Sequence, residues 1–393
     1  MTADGRITQA NLMVYIPSNT SNQRVTSIQI SEPYTLEMNG SSWIANIILR
    51  DFSEKTVKGR FIVSTDYIRR GQSQELSRPE HLSTSRLVDI NQDIKEVASQ
   101  FSGFPSPNNT IELVEWVHGY ITYDRAFVPG SVPASEVLRS RRGVCDEYSH
   151  LLIAMARSIG IPARIIVGYA FDTSGTIYGN DTWTPHAWAE VYDSKLGWVE
   201  VDPTYGEFLN LDALRVRIAT GRDQEETRDM IEAIGIAKEL NMSTNVEIRI
   251  LKKSDDSKVD VDMELAAQPR DSLHQPVMII VKNSNKYPVF MTASLVVPQG
   301  FECNCSSKFF LQPGERRTLP CDINLSGIIP DVRYNFTVKA VTDYGAVEGS
   351  FERLIVVPEY TSVQELPVEF MIFIGVAVAI AIILIIIAIF VRL

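Results

Sequence analysis

The sequence predicts an α+β core set between two β domains, followed by one transmembrane helix. Three observations carry that prediction. Near the middle, an amphipathic helical pattern runs into three strand-like segments. On both sides, apolar and polar residues alternate in short runs separated by turn residues. At the end, the segment from Phe370 to Val391 is unbroken apolar sequence, about the length that spans a bilayer. The 393 residues leave room for two or three domains. The partition is a β domain over 1–87, a core over 88–224, a helical connector over 225–244, an immunoglobulin-like sandwich over 245–357, a stalk over 358–368 and the membrane helix over 369–391.

In the first domain the strand-like runs are 12–16, 24–30, 43–49 and 58–67, with Asn39-Gly40 as a turn. Residues 71–79 read as a polar linker. Helices are expected at 89–101 and 111–123. After the core, the charged stretches 212–217 and 225–240 read as an exposed helical connector. Strand patterns return at 246–251, 260–265, 275–282, 291–296, 334–340 and 349–356. The formal net charge of -11 argues against a nucleic-acid partner, which needs a basic patch.

The core carries the chemistry. Cys145 follows Gly143-Val144 and precedes Tyr148, Leu151, Leu152, Met155 and Ile159, apolar at helical spacing. Gly160 and Pro162 stop that helix. A thiol at a helix start meets partial positive charge, which favours the thiolate. Strands follow at 163–170 and 186–192, and a turn leads into a third at 198–202. If the last two pair as a hairpin, His186 and Asp202 come level at its open end. The carboxylate then orients the imidazole, and the imidazole deprotonates the thiol. Trp188, Tyr169 and Trp183 are candidate substrate contacts, and the loop 173–184 a candidate gate. His150, five residues after Cys145, points away from the thiol on a helix.

The stretch resembles the transglutaminase-like superfamily, in its membrane-anchored prokaryotic or archaeal form. The matching elements are GVCDEY at 143–148, ARSIGIPAR at 156–164, VGY at 167–169, HAWAEVY at 186–192 and GWVEVDPT at 197–204. The resemblance implies a papain-like core in which Cys145, His186 and Asp202 are nucleophile, base and orienter. It implies a cysteine-dependent acyl transferase or hydrolase acting on protein or peptide amides through a thioester. The alternative is a cell-surface binding or scaffold protein without activity.

No metal site is expected, because the four cysteines form no C-x-x-C pair. No cofactor is required; calcium stays open, since Asp172 and Asp181 are available but no EF-hand spacing occurs. Cys303, Cys305 and Cys321 lie in the last β domain, where Cys321 is expected to pair with Cys303 or Cys305. Sequons recur from Asn19 to Asn335, all before the apolar run. They place the bulk of the chain outside a cell membrane, with the bilayer as partner of the last helix and a short cytoplasmic tail bearing Arg392. The first ten residues carry no readable leader.

Overall fold

Small residues decide where the central helix can dock. Ala163, Ile165, Ala187, Ala189, Val199 and Val201 alternate along three neighbouring strands and present a low apolar surface. The helix Cys145–Ser158 lies on it, burying Leu151, Leu152, Ile153 and Met155 completely. Each such side chain contributes about 1.5–3 kcal/mol on burial. Packing therefore holds this helix, since 14 residues are marginal as an isolated helix in water. Helices Gln92–Ser99, Asn108–Tyr120 and Ala134–Ser140 complete the core around it.

The computed structural model describes residues 1–66, 78–102, 107–126, 131–172, 182–194, 196–208, 211, 214–252, 259–268, 273–285, 289–325, 332–342 and 345–354. The central sheet has the strand order Glu207–Phe208, Gly197–Asp202, Thr182–Asp193, Ala163–Asp172, Arg215–Gly221, antiparallel throughout. Its register sets His186 opposite Gly168, and Gly168 opposite Arg217. Ahead of it, Thr2–Ile16 pairs with Ser42–Glu54, which pairs with Tyr34–Asn39. Gln23–Ile30 pairs with Gly59–Thr65. Beyond residue 258, Val259–Leu265, His274–Asn283 and Arg316–Asn324 form one sheet. Ser306–Leu311, Val289–Val296, Arg333–Thr342 and Gly345–Leu354 form another. Cys305 and Cys321 are disulfide-bonded with Cα atoms 5.4 Å apart, and Cys303 is free.

Two compact units result. One comprises Met1–Asp260, Lys282–Thr292 and Lys308–Arg317; the other comprises Val261–Val281, Ala293–Ser307 and the described residues from Thr318 on.

The expected α+β class is corrected. Of the described residues 53% lie in strands and 17% in helices, so the fold is mostly β. Part of the shift comes from the expected helical connector. Arg215–Gly221 is a strand of the central sheet, and Met230–Ile236 is a strand paired with Thr2–Ile16. Glutamate-rich sequence favours helix locally, but an open strand edge on each sheet offers a continuous backbone ladder that overrides local preference. Residues 246–251, expected as a strand, carry no ladder. The membrane helix expected from Phe370 to Val391 lies outside the described residues, as do most of the linker 71–79 and most of the loop 173–184. Among the described residues, no helix is long and apolar enough to cross a membrane.

Gly168 sets how closely Arg215–Gly221 approaches the sheet. A Cβ there would overlap the Val216 carbonyl. Gly168→Ala is therefore expected to push that strand away and cost about 1–3 kcal/mol, read from the urea unfolding midpoint. An unchanged midpoint would mean the strands have room to spare.

Candidate active site

Cys145 opens its helix. The backbone N–H of Val144 donates to Glu147 Oε2 at 2.9 Å, tying off the turn before Cys145. A side chain at Gly143 would collide with Glu147, so the tight approach requires glycine. Cys145 is buried, 5% exposed. Its Sγ accepts a hydrogen bond from the backbone of Ala187, the residue after His186, and donates to Asp146 Oδ1 at 3.4 Å. Burial pushes the thiol pKa well above its ordinary value, and the Asp146 carboxylate adds to this; the Ala187 N–H pulls the other way. The helix start alone suggested a lowered value. Burial and the adjacent carboxylate reverse the sign, so the resting group is a thiol.

His186 and Asp202 meet across the strands. His186 Nε2 lies 2.7 Å from Asp202 Oδ2. With Nε2–H donated to the carboxylate, Nδ1 carries the basic lone pair. The ring stacks on Trp188, with centroids 5.9 Å apart, and meets the edge of Tyr205 at 5.5 Å. Asp202 has no exposed surface. Its Oδ2 also accepts from Arg215 Nη2 at 3.0 Å, and its Oδ1 from the backbone N–H of Thr204 at 3.0 Å. Burial alone would raise its pKa, but the charge and hydrogen bond of His186, joined by Arg215, hold it well below the usual carboxylate range.

Arg215 was not legible as a site residue. It belongs to one edge strand of the sheet, whereas Asp202 lies three strand spacings away. At about 4.8 Å per spacing, a flat sheet would separate them farther than one arginine side chain reaches. Arg215 also bonds Glu207, on the opposite edge strand. The sheet is therefore curled, and side chains close it where no backbone ladder does. Its interior holds further charges. Glu190 accepts from Arg164 at 2.6 Å and from both terminal nitrogens of Arg217, at 2.7 and 2.6 Å. Burial opposes its ionisation, but the two guanidinium groups hold Glu190 down to about 2. Glu200 accepts from Trp188 Nε1 at 2.8 Å.

That bond corrects one substrate candidate: Trp188 is 1% exposed and belongs to the interior of the curled sheet. Tyr169 and Trp183 do reach open space. Together with Gly168, Pro185 and Asp229 they line a cleft of about 2010 Å³. Gly168 and Pro185 are the cross-strand and chain neighbours of His186, but neither Cys145 nor His186 lines this cleft. His150 is buried and accepts from the Gln224 N–H at 3.3 Å; burial lowers its pKa to about 4, leaving it neutral. Among the described residues no group of three or more His, Cys, Asp or Glu side chains is placed to hold a metal ion. Asp181 and the Asp172 side chain, the calcium candidates, lie outside what is described.

A thiol at a helix start near a buried imidazole–carboxylate pair on antiparallel strands is the arrangement of a candidate cysteine-enzyme site. Residues 99–203 match the family model of the transglutaminase-like superfamily, and this segment is a domain of that superfamily. The Bacillus subtilis protein YebA is 26% identical over 210 residues, covering 46% of this chain and 28% of YebA. A Pseudomonas aeruginosa protein-glutamine gamma-glutamyltransferase is 35% identical over 69 residues, 17% of this chain and 10% of that protein. The matches thus span less than a third of either relative. A solved structure from Cytophaga hutchinsonii, described as a candidate cysteine protease, aligns with TM-score 0.42 and 20% identity over 60% of this chain and 90% of that one.

Because the folded pKa of Asp202 lies below its ordinary 3.8, its stabilisation is complete above that value and is lost as pH falls through the folded one. Arg215→Met removes one partner of a buried pair and is expected to cost about 3–5 kcal/mol at neutral pH. The gap from the parent should narrow only as pH falls from 3.8 toward the lower folded value, because the variant's Asp202, with one cation fewer, takes up its proton at higher pH than the parent's. Thermal unfolding against pH measures this; a gap independent of pH would contradict it.

Proposed function

We propose that the chain is a cysteine-dependent acyl transferase or hydrolase acting on amide bonds of proteins or peptides. The observation that carries this reading is the 2.7 Å His186–Asp202 contact beside a thiol held against the Ala187 N–H. A carboxamide or peptide carbonyl enters next to Cys145. His186 Nδ1 takes the thiol proton as Sγ bonds to the carbonyl carbon. The oxyanion that forms is met by the Cys145 backbone N–H, one of the first helix donors with no intrahelical acceptor. His186 then returns the proton to the departing nitrogen, which leaves as an amine, or as ammonia from a glutamine side chain. Water or a primary amine next attacks the thioester, with His186 again as base, and the thiol is restored.

The imidazole must be basic in its neutral form and stabilised once protonated. Asp202, kept ionised by Arg215 and Thr204 as well as by His186, meets both needs. The superfamily match at 99–203 and the named transferase relative support the same reading.

The full chain is incubated with a blocked glutamine dipeptide and hydroxylamine, and hydroxamate and ammonia are measured together. Both should appear with the parent protein. Cys145→Ala should yield neither. Asp202→Asn should lower the rate by about two to four orders of magnitude, because His186 then favours the wrong tautomer. Activity that survives Cys145→Ala would overturn the assignment.

A further inference from the structure

A second carboxylate touches the nucleophile. Cys145 Sγ donates to Asp146 Oδ1 at 3.4 Å. An acidic residue in the first turn of a helix usually complements the dipole from an exposed position. Asp146 is instead part-buried, and it is held from behind. The Gln224 side chain hydrogen-bonds the Asp146 carboxylate. The Ser131 hydroxyl donates to Gln224 Oε1, which leaves the amide N–H₂ for Asp146. The Gln224 backbone N–H donates to His150 Nε2, anchoring the residue that carries this amide.

The charged groups facing the pair come from several elements. They are His186 on Thr182–Asp193, Asp202 on Gly197–Asp202, Glu147 on the helix itself, and Arg228. Burial pushes the Asp146 carboxyl up, while the hydrogen bonds of Cys145 and Gln224, and the charges of His186 and Arg228, pull it back. Asp146 is thus the acceptor that the thiol proton meets at rest, and His186 the acceptor that the reaction assigned above requires.

We propose that Asp146 is a latch on the nucleophile: held by Gln224 and Ser131, it keeps the Cys145 proton on sulfur in the resting site and competes with His186 for it. This rests on the reading of Cys145 and His186 given above. Release is one proton transfer. The Sγ–H bond breaks, an N–H bond forms at His186 Nδ1, the electron pair stays on sulfur, and Asp146 loses one hydrogen bond. No other species is consumed. The latch protects an electron-rich thiol from adventitious alkylation and oxidation until a substrate carbonyl displaces the carboxylate contact.

The test is the rate of iodoacetamide alkylation in the full chain carrying Cys303→Ser, which leaves Cys145 as the free thiol. Rates are followed from about pH 6 to about pH 9, where thiols titrate. Asp146→Asn keeps the shape and removes the charge. It should raise the rate at neutral pH by about three- to tenfold, the effect of lowering the thiol pKa by about half to one unit, and move the midpoint to lower pH. Asp146→Ser, with a hydroxyl for Gln224, should shift it the same way and reads the effect if the Asn variant does not fold. His186→Ala supplies the contrast. If both Asp146 variants match or fall below the parent while His186→Ala alters the profile, the latch is wrong and the Cys–His site stands. A profile unmoved by all three changes would overturn both.

Discussion

A carboxylate with no exposed surface is the constraint on which the rest depends. Taking Asp202 out of water costs several kcal/mol, and only a full set of donors offsets it. Those donors come from three places in the chain: His186, Arg215 and the Thr204 N–H. Arg215 can reach only if the sheet curls, and the curl brings its two edges together through Arg215 and Glu207. Glu190 repeats the same logic with Arg164 and Arg217. The charged interior is thus a set of mutual requirements, in which each strand supplies what another must have to be buried.

This interior reaches the chemistry through one ring. Asp202 fixes which nitrogen of His186 bears the proton, and Trp188 and Tyr205 fix the plane of the ring. The opposite face of the sheet carries alanines that admit the helix, and the helix places Cys145 at the Ala187 N–H. One sheet therefore positions both residues, His186 through its polar face and Cys145 through its apolar one. The thiol itself lies in surroundings that oppose ionisation, so its reactivity depends on a base acting during attack.

The local signals were readable, while the long-range ones were not. Cys145 at a helix start, the strands bearing His186 and Asp202, and the superfamily likeness all lie within one contiguous stretch. The part played by Arg215 depends on a partner that sheet curvature alone brings near. Residues 230–236 read as helix because glutamate and alanine favour it, and the strand that overrides this preference lies more than two hundred residues earlier. The sequence does not show that Trp188 is interior. Alternation puts it on the same face as His186 and Glu190, a face that reads as polar, and only the fold shows that this face is closed off from water. The choice between Cys303 and Cys305 had no sequence signal, and the fold pairs Cys305 with Cys321.

The most direct test of the Cys145–His186 pairing needs no knowledge of the natural substrate. The full chain with Cys303→Ser is mixed with p-nitrophenyl acetate, and the pre-steady-state release of nitrophenolate is followed. The Cys145–His186 pairing requires a burst equivalent to the amount of Cys145, absent in Cys145→Ala and much slower in His186→Ala. A burst of the same rate with His186 removed, or none at all from the intact protein, would contradict it.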